Sequence, residues 1–185
     1  MDTRNIPTMI EGKGPTRSAY TLVELVAVIA ILGIVATFVG GPTLSNLRGL
    51  RSSAAAARIV SDVRYVQRLA LSSGQRTWIV FNAGADQYTM HIEDADNPGK
   101  SNRIPLPNPL DRSTAPVQLN EGAFASITIN AVSIAGGSEL EFDNFGAPYA
   151  STGAALASTA TIELAGDMQV VVYPVSGLAE QIAGP

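Results

Sequence analysis

The chain has 185 residues, 46% of them hydrophobic, with a formal net charge of −4, one histidine and no cysteine. A disulfide framework, a thiolate metal site and a histidine-rich metal centre are excluded, and the apolar share is too high for a disordered polyanion. Beyond one membrane-length segment, the remainder suffices for a single globular head.

Residues 1–19 carry Arg4, Lys13 and Arg17 together with Gly12, Gly14 and Pro15 and have no apolar period. They read as a removable leader. From Leu22 to Gly41 the chain is apolar over the length of about 20 residues that a helix needs to cross a hydrocarbon core. Glu24 is the one charge in that stretch. An ionisable group there costs about 3 kcal/mol and marks a site with a partner nearby. Thr21-Leu22-Val23-Glu24 also fits a capping box, in which both side chains satisfy free backbone N–H groups and the acid favours the helix dipole. A secretory signal peptide cut at Ala54 to Ala57 is a further reading. The length of the apolar block and the acid at its start speak against it.

Gly40-Gly41-Pro42 should bend or locally melt the helix, since proline removes a hydrogen bond. An amphipathic continuation is expected over 42–74, because Ile59, Val63, Val66 and Leu69 or Ala70 recur at helical spacing. Unbroken from Tyr20 to Ser73, the helix would extend about 80 Å. Gly74 is the expected stop.

Residues 75–185 form the head. Thr77 to Asn82 and Gln87 to Glu93 read as a hairpin around Ala83 to Asp86. Asp94 to Val117 is rich in proline, asparagine and charge and reads as a surface connection. Phe124 to Asn130, Glu139 to Phe142, Ala160 to Leu164 and Met168 to Tyr173 supply further strands, with Ala165-Gly166-Asp167 turning between the last two. The fold class is α+β, a long N-terminal transmembrane helix packed on an antiparallel sheet head.

Charge divides along the chain. Six arginines from Arg48 to Arg76 face Asp62 alone, whereas from Thr77 onward three basic residues face twelve acids. A basic stem suits phospholipid headgroups or acidic neighbours, or its arginines merely solvate a helix surface.

Ala19, Tyr20, Thr21, Leu22, Val23, Glu24 and Leu25, followed by the apolar helix, resemble the prepilin signature of type IV pilins and of the pseudopilins of type II secretion. The resemblance implies that a prepilin peptidase cuts between Ala19 and Tyr20, and that the amine of Tyr20 is methylated. Ala19 and Tyr20 stand where the family usually has glycine and phenylalanine. Such a cut leaves a cationic amine about one helical turn from Glu24. A new subunit's amine and the Glu24 of a resident subunit then neutralise each other in lipid and fix axial register. Val63 to Ala70, Glu139 to Pro148, Ile162-Glu163-Leu164 and Val170 to Gly177 resemble the H-type minor pseudopilins and FimT-like minor pilins. What this implies is a pilin-like structural subunit in the inner membrane, spanning once over 20–41, with its head in the periplasm or outside. Its partners would be the prepilin peptidase and other pilin-like or pseudopilin subunits. The alternatives are a minor pilin binding DNA for uptake and a single-pass anchored adhesion or sensor domain.

No Gly-x-Ser-x-Gly elbow and no phosphate loop appears, so neither catalysis nor a cofactor is expected. His91, inside a strand, reads as a surface or half-buried residue. Glu93, Asp94 and Asp96 lack the further ligands of an EF-hand and read as a solvated acidic loop, so no metal is expected. Trp78, Phe81, Tyr88 and Phe142 read as sheet core. With no Lys or Arg after Arg112, the acidic head repels a polyanion and DNA binding is disfavoured.

Overall fold

A computed structural model describes residues 21–184, excepting the side chains of 37–46. The chain divides into two units, residues 1–42 and 43–185. One helix, α1, runs from Leu22 to Ser73. Gly40-Gly41-Pro42 do not end it, so the expected local melting does not occur; one proline removes only one of the helix's many hydrogen bonds. Its C-terminus falls where glycine places it. Gly74 takes a φ of +69°, a left-handed conformation, and its N–H donates to Ala70 O at 3.0 Å.

Within the head unit, α1 lays the expected stripe on the core: Ile59, Val63, Val66 and Ala70 are fully buried, with Ala55 and Ala56 beside them, and Leu69 is partly buried. Four points of local chemistry fix it there. Thr77 Oγ1 donates to Val66 O at 3.0 Å, and Ser52 Oγ donates to Ala165 O at 2.5 Å. Arg64 donates twice to Ala179 O, at 3.1 and 2.7 Å. Gln67 Nε2 donates to both Gly146 O (2.9 Å) and Ser176 O (2.7 Å) and so gathers two turns onto one helical residue. Gly177, with a φ of +63°, approaches so closely that an added Cβ would lie 2.6 Å from Gln67 Nε2.

The strands form two antiparallel sheets. The first runs β3-β2-β1-β6-β7, with β4 also on β2: β1 Thr77–Asn82, β2 Gln87–Ile92, β3 Ile104–Pro105, β4 Val117–Gln118, β6 Glu139–Phe142 and β7 Pro148–Ala150. The second runs β10-β9-β8-β5, from β5 Ile129–Ser133, β8 Ala160–Leu164, β9 Met168–Val172 and β10 Ala179–Ala183. Register follows side-chain chemistry. Thr77, Ile79 and Phe81 face the same side as Tyr88, Met90, Leu140 and Phe142, all buried against α1.

Three expectations need correction. The segment from Asp94 to Val117 is more than a surface connection, for it extends the first sheet. β3 pairs with His91 and Ile92, β4 pairs with Gln87 and Tyr88, and Leu106 is buried. The strand expected at Phe124 to Asn130 begins only at Ile129, and a 3-10 turn occupies Gly122–Phe124. Tyr173 and Glu93 fall just outside their strands.

Candidate functional site

In the N-terminal unit the described chain begins at Thr21; Ala19 and Tyr20 lie outside the described residues. Thr21 precedes the first helical residue, and its Oγ1 accepts from the Glu24 N–H at 3.3 Å. Half of the expected capping box is thus formed. Glu24 is exposed in the first turn, where a carboxylate complements the helix dipole. Every described residue from Thr21 to Ala36 is exposed, Leu22 and Val23 by more than three quarters. A helix apolar on all sides is stable only when lipid or other helices cover it. Among the described residues, no helix is long and apolar enough to cross a membrane. Of the expected span of 20–41, Tyr20 and the side chains of 37–41 lie outside the described residues.

The head carries two charged clusters. The first is buried between helix and sheet. Asp62 Oδ2 accepts from Arg58 Nε at 2.8 Å and from Tyr88 Oη at 2.6 Å, while Arg58 Nη2 donates to Asn108 Oδ1 at 2.5 Å. The carboxylate thus joins α1 to β2, and its partner Arg58 extends the link to the segment after β3. Burial, reinforced by Asp62, pushes the Tyr88 hydroxyl well above its ordinary pKa. For Arg58, burial works against the charge, but Asp62 outweighs it and the guanidinium pKa is raised. Sequence reasoning did not single out this group, although an Arg and an Asp four residues apart beside an apolar stripe are its visible signal.

The second cluster lies on the opposite face of the first sheet. Trp78 is fully buried there, with the Arg76 guanidinium carbon 5.6 Å and that of Arg103 5.9 Å from its ring centroid. Arg76 pairs with Glu93 at 2.6 Å and with Glu141 at 3.5 Å. Arg103 pairs with Glu139 at 2.6 Å. Lys100 meets the other oxygen of Glu139, which has no well-angled hydrogen bond of its own, so the contact is an ion pair. The hydrogen bond from Arg76 lowers the Glu93 pKa from its ordinary value. Burial would raise that of Glu139, but the hydrogen bond from Arg103 and the charge of Lys100 overcome it. His91 is half-buried, as expected, and burial followed by Arg103 lowers its pKa.

The sequence-predicted head residues separate accordingly. Phe81, Tyr88 and Phe142 enter the common core, whereas Trp78 sits under the arginines instead. Glu93 is engaged by Arg76 and by the Gly99 N–H at 3.0 Å, so it does not converge with Asp94 and Asp96. Among the described residues, no group of three or more His, Asp or Glu side chains could hold a metal.

A long helix whose second part packs on antiparallel sheets, preceded by an exposed apolar segment with one acid at its start, is a pilin-like architecture. Residues 15–40 match the family described as the prokaryotic N-terminal methylation motif. The fold is shared with the minor pseudopilin EpsH from the type II secretion system of Vibrio cholerae. One crystal structure of it is 13% identical, covers 73% of this chain and 97% of its own, and superposes with a TM-score of 0.52. A second structure of EpsH is 16% identical over 72% of this chain and 97% of that one, with a TM-score of 0.49. No curated protein matches the chain in sequence.

Proposed function

We propose that this chain is a minor pseudopilin-like subunit of a type II secretion pseudopilus or a related type IV pilus. Residues 20–41 hold it in the inner membrane, and its head lies outside the cytoplasm. A prepilin peptidase removes residues 1–19, the Tyr20 amine is methylated, and Glu24 receives the amine of the next pilin-like subunit. One observation carries this reading: an all-exposed apolar helix, capped at Thr21 and charged only at Glu24, coincides with the methylation motif. Such a helix, exposed over the described residues 21–36, requires a cover. A filament of similar helices within the membrane supplies one, and the isolated carboxylate then selects a cationic end group. The head's work is contact between subunits.

Intact mass after co-expression with a prepilin peptidase tests the reading. The expected product has lost residues 1–19 and gained one methyl group; a chain that keeps its leader in the working assembly overturns it. In the same system Glu24→Ala should insert into membranes normally and fail to enter filaments. Normal incorporation would remove Glu24 from its role.

A further inference from the structure

We propose that the outer edge of β10, together with the α1 face beside it, is a docking groove for an extended acidic segment of a partner protein, which joins the second sheet as a further strand.

The other sheet edges are closed to such an addition. β3 and β4 have two residues each, and β3 ends on Pro105. β7 has three residues and begins with Pro148. β5 is bulged between Ile129 and Ala131, and the Ile129 N–H is taken by Asp86 Oδ1 at 2.8 Å. These are the devices by which proteins protect sheet edges. β10 is protected only at its first residue, where Arg64 takes Ala179 O: its five residues pair with β9 in unbroken register and contain no proline.

The direction of its free groups follows from antiparallel alternation. Tyr173 N–H donates to Leu178 O at 3.0 Å, and Gly184 N–H donates to Asp167 O at 2.7 Å. Stepping by two residues between these bonds, Glu180 and Ile182 exchange hydrogen bonds with β9. Ala179, Gln181 and Ala183 turn their main-chain groups away from it. Arg64 caps Ala179 O, as its two bonds to that oxygen show, which leaves the N–H and C=O of Gln181 and Ala183 for an incoming strand.

That edge opens into a groove of about 550 Å³ walled by Ala57, Val60 and Ser61 of α1. Its charged lining consists of Arg64, Arg68 and Glu180, two cations against one acid. Arg68 uses Nε on its own helix, to Arg64 O at 3.2 Å, and leaves the rest of its guanidinium for a carboxylate. The fitting occupant is therefore a strand of about five residues, lying about 4.8 Å from β10 and presenting an acidic side chain to Arg68. The inference is independent of the filament reading.

The probe is an acetylated seven-residue peptide alternating valine with glutamate, added to the full chain in detergent micelles, with a lysine counterpart as control. Amide exchange at single residues is the readout. The acidic peptide should slow exchange at Gln181 and Ala183 at least tenfold, and the lysine peptide should not. Gln181→Pro removes only an outward N–H, so it should abolish that effect while the Glu180 and Ile182 amides stay protected. Arg68→Glu should reverse the preference between the two peptides. No slowing by the acidic peptide, or slowing that survives Gln181→Pro, overturns the proposal. So does protection that rises with protein concentration alone, which would make the occupant a second copy of this chain.

Discussion

Asp62→Ala tests whether the buried triad holds α1 to the head. The Asp62 side chain is 2% exposed and Arg58 11%, so removing the carboxylate strands a guanidinium out of water and leaves the Tyr88 hydroxyl without its acceptor. Breaking one side of a buried ion pair costs about 3–5 kcal/mol. An orphaned buried hydroxyl adds about 1–3 kcal/mol. Arg58 keeps its bond to Asn108 and some solvent, which places the total at the lower end, about 4 kcal/mol. Tyr88→Phe removes a donor while leaving Asp62 paired, and should cost about 1 kcal/mol. Arg58→Met combined with Asp62→Leu should recover the part of the loss that comes from the stranded guanidinium, because apolar groups of similar volume need no partner, while the Tyr88 hydroxyl stays without its acceptor. Trp78 is the single tryptophan and lies in the head, so its fluorescence during urea unfolding of the full chain in micelles reports the head alone. An Asp62→Ala variant within about 1 kcal/mol of wild type, or a double variant no better than the single one, would refute the reasoning.

Gly177→Ala should destabilise the head by about 2–4 kcal/mol, since its methyl group meets both Gln67 and the Phe142 ring at a φ of +63°. Gly153→Ala, at a φ of +77° with nothing within 4 Å, should cost only about 1 kcal/mol; equal losses in urea would mean that the contact is unimportant. Acid should weaken the head in two steps. His91 has a lowered folded pKa, so the unfolded chain takes up its proton first, and stability falls as pH drops from about 6.5 toward the folded value. Glu93 and Glu139 also have lowered folded values, so their stabilisation is complete above the ordinary carboxylate pKa of about 4.3 and vanishes as pH falls through those values. His91→Gln should remove the upper step alone, and urea midpoints that stay flat from pH 7.5 to 5.5 in the wild type would contradict this.

The helix, its stop and the longest strands were legible because each has a local cause. Period 3.6 at Ile59, Val63, Val66 and Ala70 marks a buried helix face, Gly74 supplies left-handed backbone, the short apolar run in Thr77–Asn82 marks a strand buried on both faces, and alternation in Ala160–Leu164 marks a half-buried one. What escaped is long-range. β3 and β4 are two residues each and exist only because β2 offers an edge; Ile104 and Pro105 have no strand signature of their own. β7 and β10 were likewise unread, for Pro148-Tyr149-Ala150 and Ala179 to Ala183 show no clean alternation. Thr21 and Glu24 were legible as a cap from spacing alone, and the 3.3 Å bond forms it. The partner of Asp62 four residues away was visible, but its bond to Tyr88, 26 residues on, was not.

The stem arginines show why a charge count misleads. Read along the chain, they form a basic stretch free to meet lipid or to solvate the helix. In the fold, Arg58 is buried against Asp62, Arg64 holds Ala179 O, and Arg76 bridges Glu93 and Glu141. Each of these residues joins the helix or the turn after it to the head, Arg58 through Asn108, Arg64 through a main-chain carbonyl and Arg76 through the head acids Glu93 and Glu141. Guanidinium suits this use, because its planar donors bind a carbonyl or carboxylate at the domain surface while the stem packs on apolar neighbours. Arg68 spends only Nε, on its own helix, and stands beside the β10 edge, and the proposed docking groove rests on that coincidence of free charge with free main-chain groups.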